Sequence, residues 1–120
     1  MNQKFKVELL EEVNEFLNGL NDKAREKIIY NLRKAQVVND NELFKKLNDK
    51  VWEFRTLHNK TKYRLFAFWD KTDKIETVVI STHGIEKKTA KTPKKEIEKT
   101  ERIMKQYFEA KKIILWKKKE

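Results

Sequence analysis

Leu9, Leu10, Val13, Phe16, Leu17 and Leu20 recur at helical spacing, with Glu8, Glu11, Glu12 and Glu15 filling the other side. The early carboxylates suit the positive end of a helix dipole, and Gly19 supplies a stop. Asn21 or Asp22 caps a second amphipathic stretch that keeps Ala24, Ile28, Leu32 and Ala35 on one side. A connection this short predicts an antiparallel helical hairpin. A third, short helix is expected over residues 40–47, burying Leu43, Phe44 and Leu47.

The period then changes from that of a helix to two. Residues 51–57, 63–69 and 75–82 alternate and are rich in aromatic and β-branched side chains. The segments between them have hairpin length and turn composition, so the three runs read as an antiparallel meander. Phe5 and Val7 mark a short additional strand. Thr92-Pro93 opens a last helix, whose apolar face carries Ile97, Met104, Tyr107 and Phe108. The expected architecture is α+β: an N-terminal helical hairpin on a curved, mainly antiparallel four-stranded sheet, closed by a C-terminal helix. One domain over residues 1–112 is expected, followed by a basic tail over 113–120.

Charge adds a functional direction. The chain of 120 residues carries a formal net charge of +10, of which residues 1–50 supply +1 and residues 51–120 supply +9. This asymmetry points to a polyanion such as nucleic acid, or to an acidic protein partner. A lysine-rich solubilising surface explains the same excess equally well. The absence of cysteine excludes disulfides, Cys–zinc sites and thiol nucleophiles. No apolar run approaches membrane-spanning length and the first residues show no secretory h-region, so a cytoplasmic protein with no membrane role is expected.

Within the strand 51–57, alternation puts Trp52, Phe54 and Thr56 on one face and Glu53 and Arg55 on the other, with Arg64 across the hairpin. Sheet interiors rarely hold charge unless it pairs or acts. A cross-strand ion pair on a solvent face is the simpler explanation. The segment after the third strand, from His83 to Pro93, holds Lys87, Lys88 and Lys91 near the start of the last helix, whose free N–H groups also favour an anion. Taken alone it reads as an exposed basic loop.

The order Val51-Trp52-Glu53-Phe54-Arg55, then Tyr63-Arg64-Leu65-Phe66, then Thr82-His83-Gly84-Ile85-Glu86-Lys87-Lys88-Thr89, closed by Lys91-Thr92-Pro93, resembles the phage-derived, HigB-like branch of the RelE/ParE toxin superfamily. The likeness covers nearly the whole chain, and the His-Gly-Ile-Glu-Lys-Lys-Thr segment is its most specific part. It implies a RelE-like fold and the toxin of a type II toxin–antitoxin pair. Many members are metal-independent endoribonucleases that cut ribosome-bound mRNA and halt translation, so the resemblance implies that activity, with no cofactor, here. It also implies a cognate antitoxin, expected to carry a helix-turn-helix, through which any DNA contact would be made. The related ParE branch poisons gyrase without a nuclease site, so a binding-only toxin stays open, as does an inactive phage-derived nucleic-acid-binding module.

Cleavage without a metal requires a base for the 2′-OH, an acid for the 5′-oxygen and positive charge for the phosphorane, and it leaves a 2′,3′-cyclic phosphate. Arg55 and Arg64 suit the charge role, because guanidinium forks match phosphate oxygens and stay ionised. Glu53 is the favoured base. Lys87 or Lys88 serves as clamp or as acid, and His83 titrates in the right range, although a histidine before a glycine at a strand end also suits a structural role. Lys62, Lys91 and Tyr63 are expected to touch RNA, with Tyr63 stacking on a base unless it packs with Leu65. Tyr107 matches a C-terminal tyrosine used in some branches but lies on an apolar helix face.

Overall fold

A computed structural model describes residues 3–118. The elements run β1 (Lys6–Leu9), α1 (Glu11–Asn18), α2 (Asp22–Val37), β2 (Phe44–Lys46), β3 (Trp52–His58), β4 (Thr61–Asp70), β5 (Val78–Lys87) and α3 (Lys94–Lys118). The five strands form one mixed sheet in the order β1-β5-β4-β3-β2. The meander β3-β4-β5 is antiparallel as expected, and β2 extends it on one side. On the other side β1 lies parallel to β5, so the sheet is neither four-stranded nor wholly antiparallel.

The expected helix over residues 40–47 is absent. Asp40 Oδ1 accepts from the Glu42 amide and its carbonyl accepts from Leu43 and Phe44, which closes a single turn before the chain extends into β2. Leu43 and Phe44 are buried as the apolar pattern requires. A three-residue edge strand carrying Lys45 and Lys46 uses that pattern as well as a helix would, and its charges discourage edge pairing.

The two N-terminal helices are joined as expected, with Asn21 Oδ1 accepting from the Ala24 amide. They do not make a hairpin packed on itself. Helix α1 lies against β5, and α2 lies against β3. Together they cover one sheet face, where Val13, Leu17, Ala24, Ile28, Leu32, Phe54, Leu65 and Val79 share a core. Asn31 on α2 donates to the Thr56 hydroxyl across this layer (3.2 Å). Gly84 makes the closeness of α1 possible: a Cβ there would lie 2.7 Å from Leu65 Cδ2 and closer still to the Phe16 ring.

Helix α3 covers part of the opposite face. Phe68 meets the Tyr107 and Phe108 rings at 5.2 and 5.7 Å. Buried Asp70 accepts from the Tyr107 hydroxyl and from Lys111 Nζ, both at 2.6 Å. The helix continues through residues 113–118, where a tail was expected, with Ile113, Ile114, Leu115 and Trp116 exposed. The last two residues of that tail, Lys119 and Glu120, and the first two of the chain lie outside the described residues. Among the described residues no helix is long and apolar enough to cross a membrane.

Candidate functional site

The face opposite α1 and α2 is only partly covered by α3, and pairing fixes which residues the half beyond the helix carries, buried in its first row and more accessible farther along. Three cross-strand rows follow one another there: Glu53, Phe66 and His83; then Arg55, Arg64 and Ile85; then Leu57, Lys62 and Lys87. Paired residues point to the same side of a sheet. A bulge in β5 sets the third column, because Phe66 pairs with His83 whereas Ala67 pairs with Ser81, leaving Thr82 as the extra residue. The bulge turns His83, Ile85 and Lys87 to the same face as Ile80. Without it they would point toward α1 and α2.

Glu53 lies buried at the centre of the charges on this half. Its side chain is 2% exposed, with Oε2 lying 3.5 Å from Arg64 Nε and 3.6 Å from Arg55 Nε. Both separations exceed hydrogen-bond length, and among the described residues neither Nε finds a hydrogen-bond partner. Oε1 accepts from the Thr92 hydroxyl at 3.1 Å, so the segment before α3 reaches back over the sheet. Arg64 is 4% exposed, and Arg55 is more accessible at 24%. Their other nitrogens are oriented by backbone: Arg64 Nη1 donates to the Tyr63 carbonyl (2.9 Å) and Arg55 Nη1 to that of Asn41 (3.4 Å).

The cations outnumber the carboxylate. Burial lowers the Arg64 pKa, Glu53 opposes that and Arg55 adds to it. A guanidinium remains charged nonetheless. Lys87 is also lowered from the usual lysine value, chiefly by burial; Glu53 pulls the other way, and Arg64, Arg55 and Lys62 lower it further. Glu42, Arg55, Lys62 and Arg64 line a recess of about 150 Å³. Buried N–H groups aimed at one shared carboxylate oxygen, in a surplus of positive charge, can receive a second anion such as a phosphate.

The other sequence-derived candidates separate from this cluster to different degrees. His83 shares the face but is buried, its ring stacked on Phe66 at 4.9 Å. Its Nε2 lies 3.3 Å from Glu96 Oε1 and its Nδ1 2.8 Å from Thr82 Oγ1. A carboxylate only accepts, so Nε2 carries the hydrogen and the Thr82 hydroxyl donates to Nδ1. Burial, with Lys99 adding, holds the His83 pKa below its usual value against Glu96 and Glu12. Lys88 is exposed just past the end of β5, and Lys91 is exposed in the segment before α3. Tyr63 belongs to the core on the helix-covered face, with Leu65, and is not displayed beside Arg64. Tyr107 is tied to Asp70, six residues along β4 from Arg64 and so about 20 Å away.

Residues 83–87, expected in a loop, are strand, whereas Ile75, expected in a strand, is fully exposed. Thr92 and Glu42 carry no sequence signal for a site; only the folding back of their segments brings them to Glu53 and Arg55. Among the described residues no three His, Asp or Glu side chains gather as metal ligands would.

No curated protein matches the chain significantly. Residues 15–105, which span α2, all of β2 to β5 and the first half of α3, match the family described as phage-derived protein Gp49-like (DUF891). The match includes the Glu53, Arg55, Arg64 and Lys87 face in full, and it covers about three-quarters of the chain. The chain therefore belongs to the Gp49-like family of phage-derived proteins, a RelE/toxin-like family.

Proposed function

We propose that this chain is a HigB-like toxin of a type II toxin–antitoxin pair, acting as a metal-independent endoribonuclease on ribosome-bound mRNA. The observation that carries the reading is the buried Glu53 carboxylate set between the Nε atoms of Arg55 and Arg64, 3.6 and 3.5 Å away, on the sheet face opposite α1 and α2. Family membership and the resemblance to HigB-like toxins support it.

In this reading the scissile phosphate enters the recess beside Arg55 and Arg64, which neutralise its oxygens and stabilise the phosphorane. Glu53 Oε2 takes the 2′-OH proton, O2′ bonds to phosphorus and the P–O5′ bond breaks. Lys87 gives a proton to the departing O5′. The products are a 2′,3′-cyclic phosphate and a 5′-hydroxyl, and the protonated Glu53 and neutral Lys87 left behind are reset by proton exchange with solvent. A lysine lowered by burial is a stronger acid than a free one, which suits that last step. Thr92 holds Oε1 and keeps Oε2 turned toward the substrate.

A basic surface of the kind that Lys60, Lys62, Lys88 and Lys91 make around the site is readily masked by an acidic, partly disordered segment. The cognate antitoxin, with its helix-turn-helix, is assigned that role, and DNA binding is assigned to the antitoxin.

The test is a ribosome-programmed cleavage assay with mapping of mRNA 5′ ends. Arg55→Ala combined with Arg64→Ala should abolish cutting while the circular dichroism spectrum is retained. Intact cutting in that double variant overturns the proposal. Supercoiling inhibition by the wild type, with no RNA cleavage, replaces it with a binding-only toxin.

A further inference from the structure

The cationic face does not end at the arginine row. Two residues on, about 6.7 Å along the strands, comes the row of Leu57, Lys62 and Lys87. Beyond it the β3–β4 hairpin closes through Asn59 and Lys60, both with positive φ (49° and 64°). Two such residues make a tight hairpin turn of the kind that favours asparagine first and glycine second. Asn59 fits the rule. Lys60 breaks it, holding a Cβ where glycine would be free of strain.

That strained lysine stands over a second recess, of about 500 Å³, lined by Lys60, Thr61, Lys62, Glu86, Lys87, Lys88, Thr89 and Ala90. Its lining holds four lysines and one glutamate. Lys62 lines this recess and also the one that holds Arg55 and Arg64, so the two adjoin at its side chain. The step between the rows is of the same order as the separation of neighbouring phosphates on an extended single strand. Lysines there act as point charges with three rotatable donors, suited to positioning a backbone without reading its sequence.

We propose that the recess at the β3–β4 hairpin is a second phosphate subsite, engaging the nucleotide next to the scissile one, with Lys60 and Lys88 as its distinguishing cations. This rests on the nuclease reading above and extends it to a substrate class: single-stranded RNA gripped at two or more consecutive phosphates. A lone phosphodiester would fill only the arginine recess.

The experiment measures binding of uncleavable 2′-O-methyl oligoribonucleotides over a salt series, comparing a dinucleotide with one phosphate to a tetranucleotide with three. For the tetranucleotide, Lys60→Gly or Lys88→Ala should reduce the slope of log affinity against log salt by about 0.7 each. For the dinucleotide neither should change it. Lys60→Gly also relieves the positive-φ strain, so its melting temperature should not fall and weaker binding cannot be ascribed to unfolding. An unchanged tetranucleotide slope in both variants overturns the subsite, as does an equal loss on the dinucleotide. If the wild type cleaves RNA while the slope stays unchanged, the subsite alone fails. The expected slopes without any cleavage support the subsite and overturn the nuclease. Wild-type protein that binds neither oligonucleotide overturns both.

Discussion

Glu53→Gln should move three measurements in different directions. In the native protein Oε1 accepts from Thr92 and Oε2 faces two guanidinium nitrogens. A glutamine keeps the Thr92 bond in either orientation, its carbonyl oxygen accepting from the hydroxyl or its NH₂ donating to it, but it presents no negative charge to the Nε–H groups of Arg55 and Arg64. In either orientation a 4%-exposed arginine loses its counter-charge. Leaving a buried charge uncompensated costs about 3–5 kcal/mol. For a chain of 120 residues that corresponds to a melting point lower by roughly 4 °C per kcal/mol. RNA affinity should move the other way, because the carboxylate no longer competes with phosphate for the two arginines; each tenfold gain corresponds to about 1.4 kcal/mol. Cleavage should fall by about 10²–10⁴, the usual contribution of a positioned base. Thermal melting, binding of an uncleavable oligonucleotide and single-turnover cleavage read the three effects separately. Cleavage within tenfold of wild type would refute the role of Glu53 as base. An unchanged melting point together with unchanged affinity would refute the electrostatic argument.

Gly84→Ala should lower stability by about 1–3 kcal/mol through overpacking against Phe16 and Leu65, as read by urea unfolding, and a neutral effect would show that α1 yields easily. Tyr107→Phe should cost about 1–2 kcal/mol by removing a donor from buried Asp70. It should leave cleavage intact, so loss of cutting in a folded variant would restore Tyr107 to the site. Burial tends to raise the Asp70 carboxyl, but hydrogen bonds from Lys111, Tyr107 and Thr72 outweigh it and hold the pKa well below the carboxylate range. Its stabilisation is therefore complete above its unfolded value of about 4 and is lost as pH falls below it; Asp70→Asn should be less stable near neutrality and show a shallower acid limb in denaturation. His83 is lowered too, so the unfolded chain takes up its proton first, near pH 6.5. Stability should drop as pH falls from about 6.5 toward the native pKa, and His83→Gln should flatten that part of the profile.

Much of the fold was legible where one face of an element is buried and the other is not. Helices α1 and α2 announce themselves through Val13, Leu17, Ile28 and Leu32, and β3 through Trp52, Phe54 and Thr56. The reading failed where the apolar signal is short or where pairing is remote. Leu43 and Phe44 are two adjacent buried residues, which fit a helical turn or a strand equally well, and only the Asp40 turn and pairing with β3 decide between them. The parallel pairing of β1 with β5 joins segments some seventy residues apart, and no local preference encodes it.

The same distinction explains the site. Glu53, Arg55 and Arg64 were legible together because regular alternation in β3 and β4 assigns them one face and a short hairpin sets them in adjacent strands. Lys87 was legible only as part of a basic segment, because its side depends on one residue. Alternation counted from Val79, which faces the core, would place His83, Ile85 and Lys87 toward α1 and α2 and make a lysine there untenable. Read from the sequence, that conflict favours a loop. The chain resolves it differently, with Thr82 as an extra residue that reverses the count and lets the strand continue to Lys87. Because the bulge sits between the row that packs under α3 and the rows that remain open, it serves both halves of the face: Ile80 and Phe68 meet the helix, while Lys87 reaches the arginines. The proposed chemistry therefore depends on an irregularity in the sheet: the basic segment marks Lys87 as a candidate, but a rule of period two puts it on the wrong side.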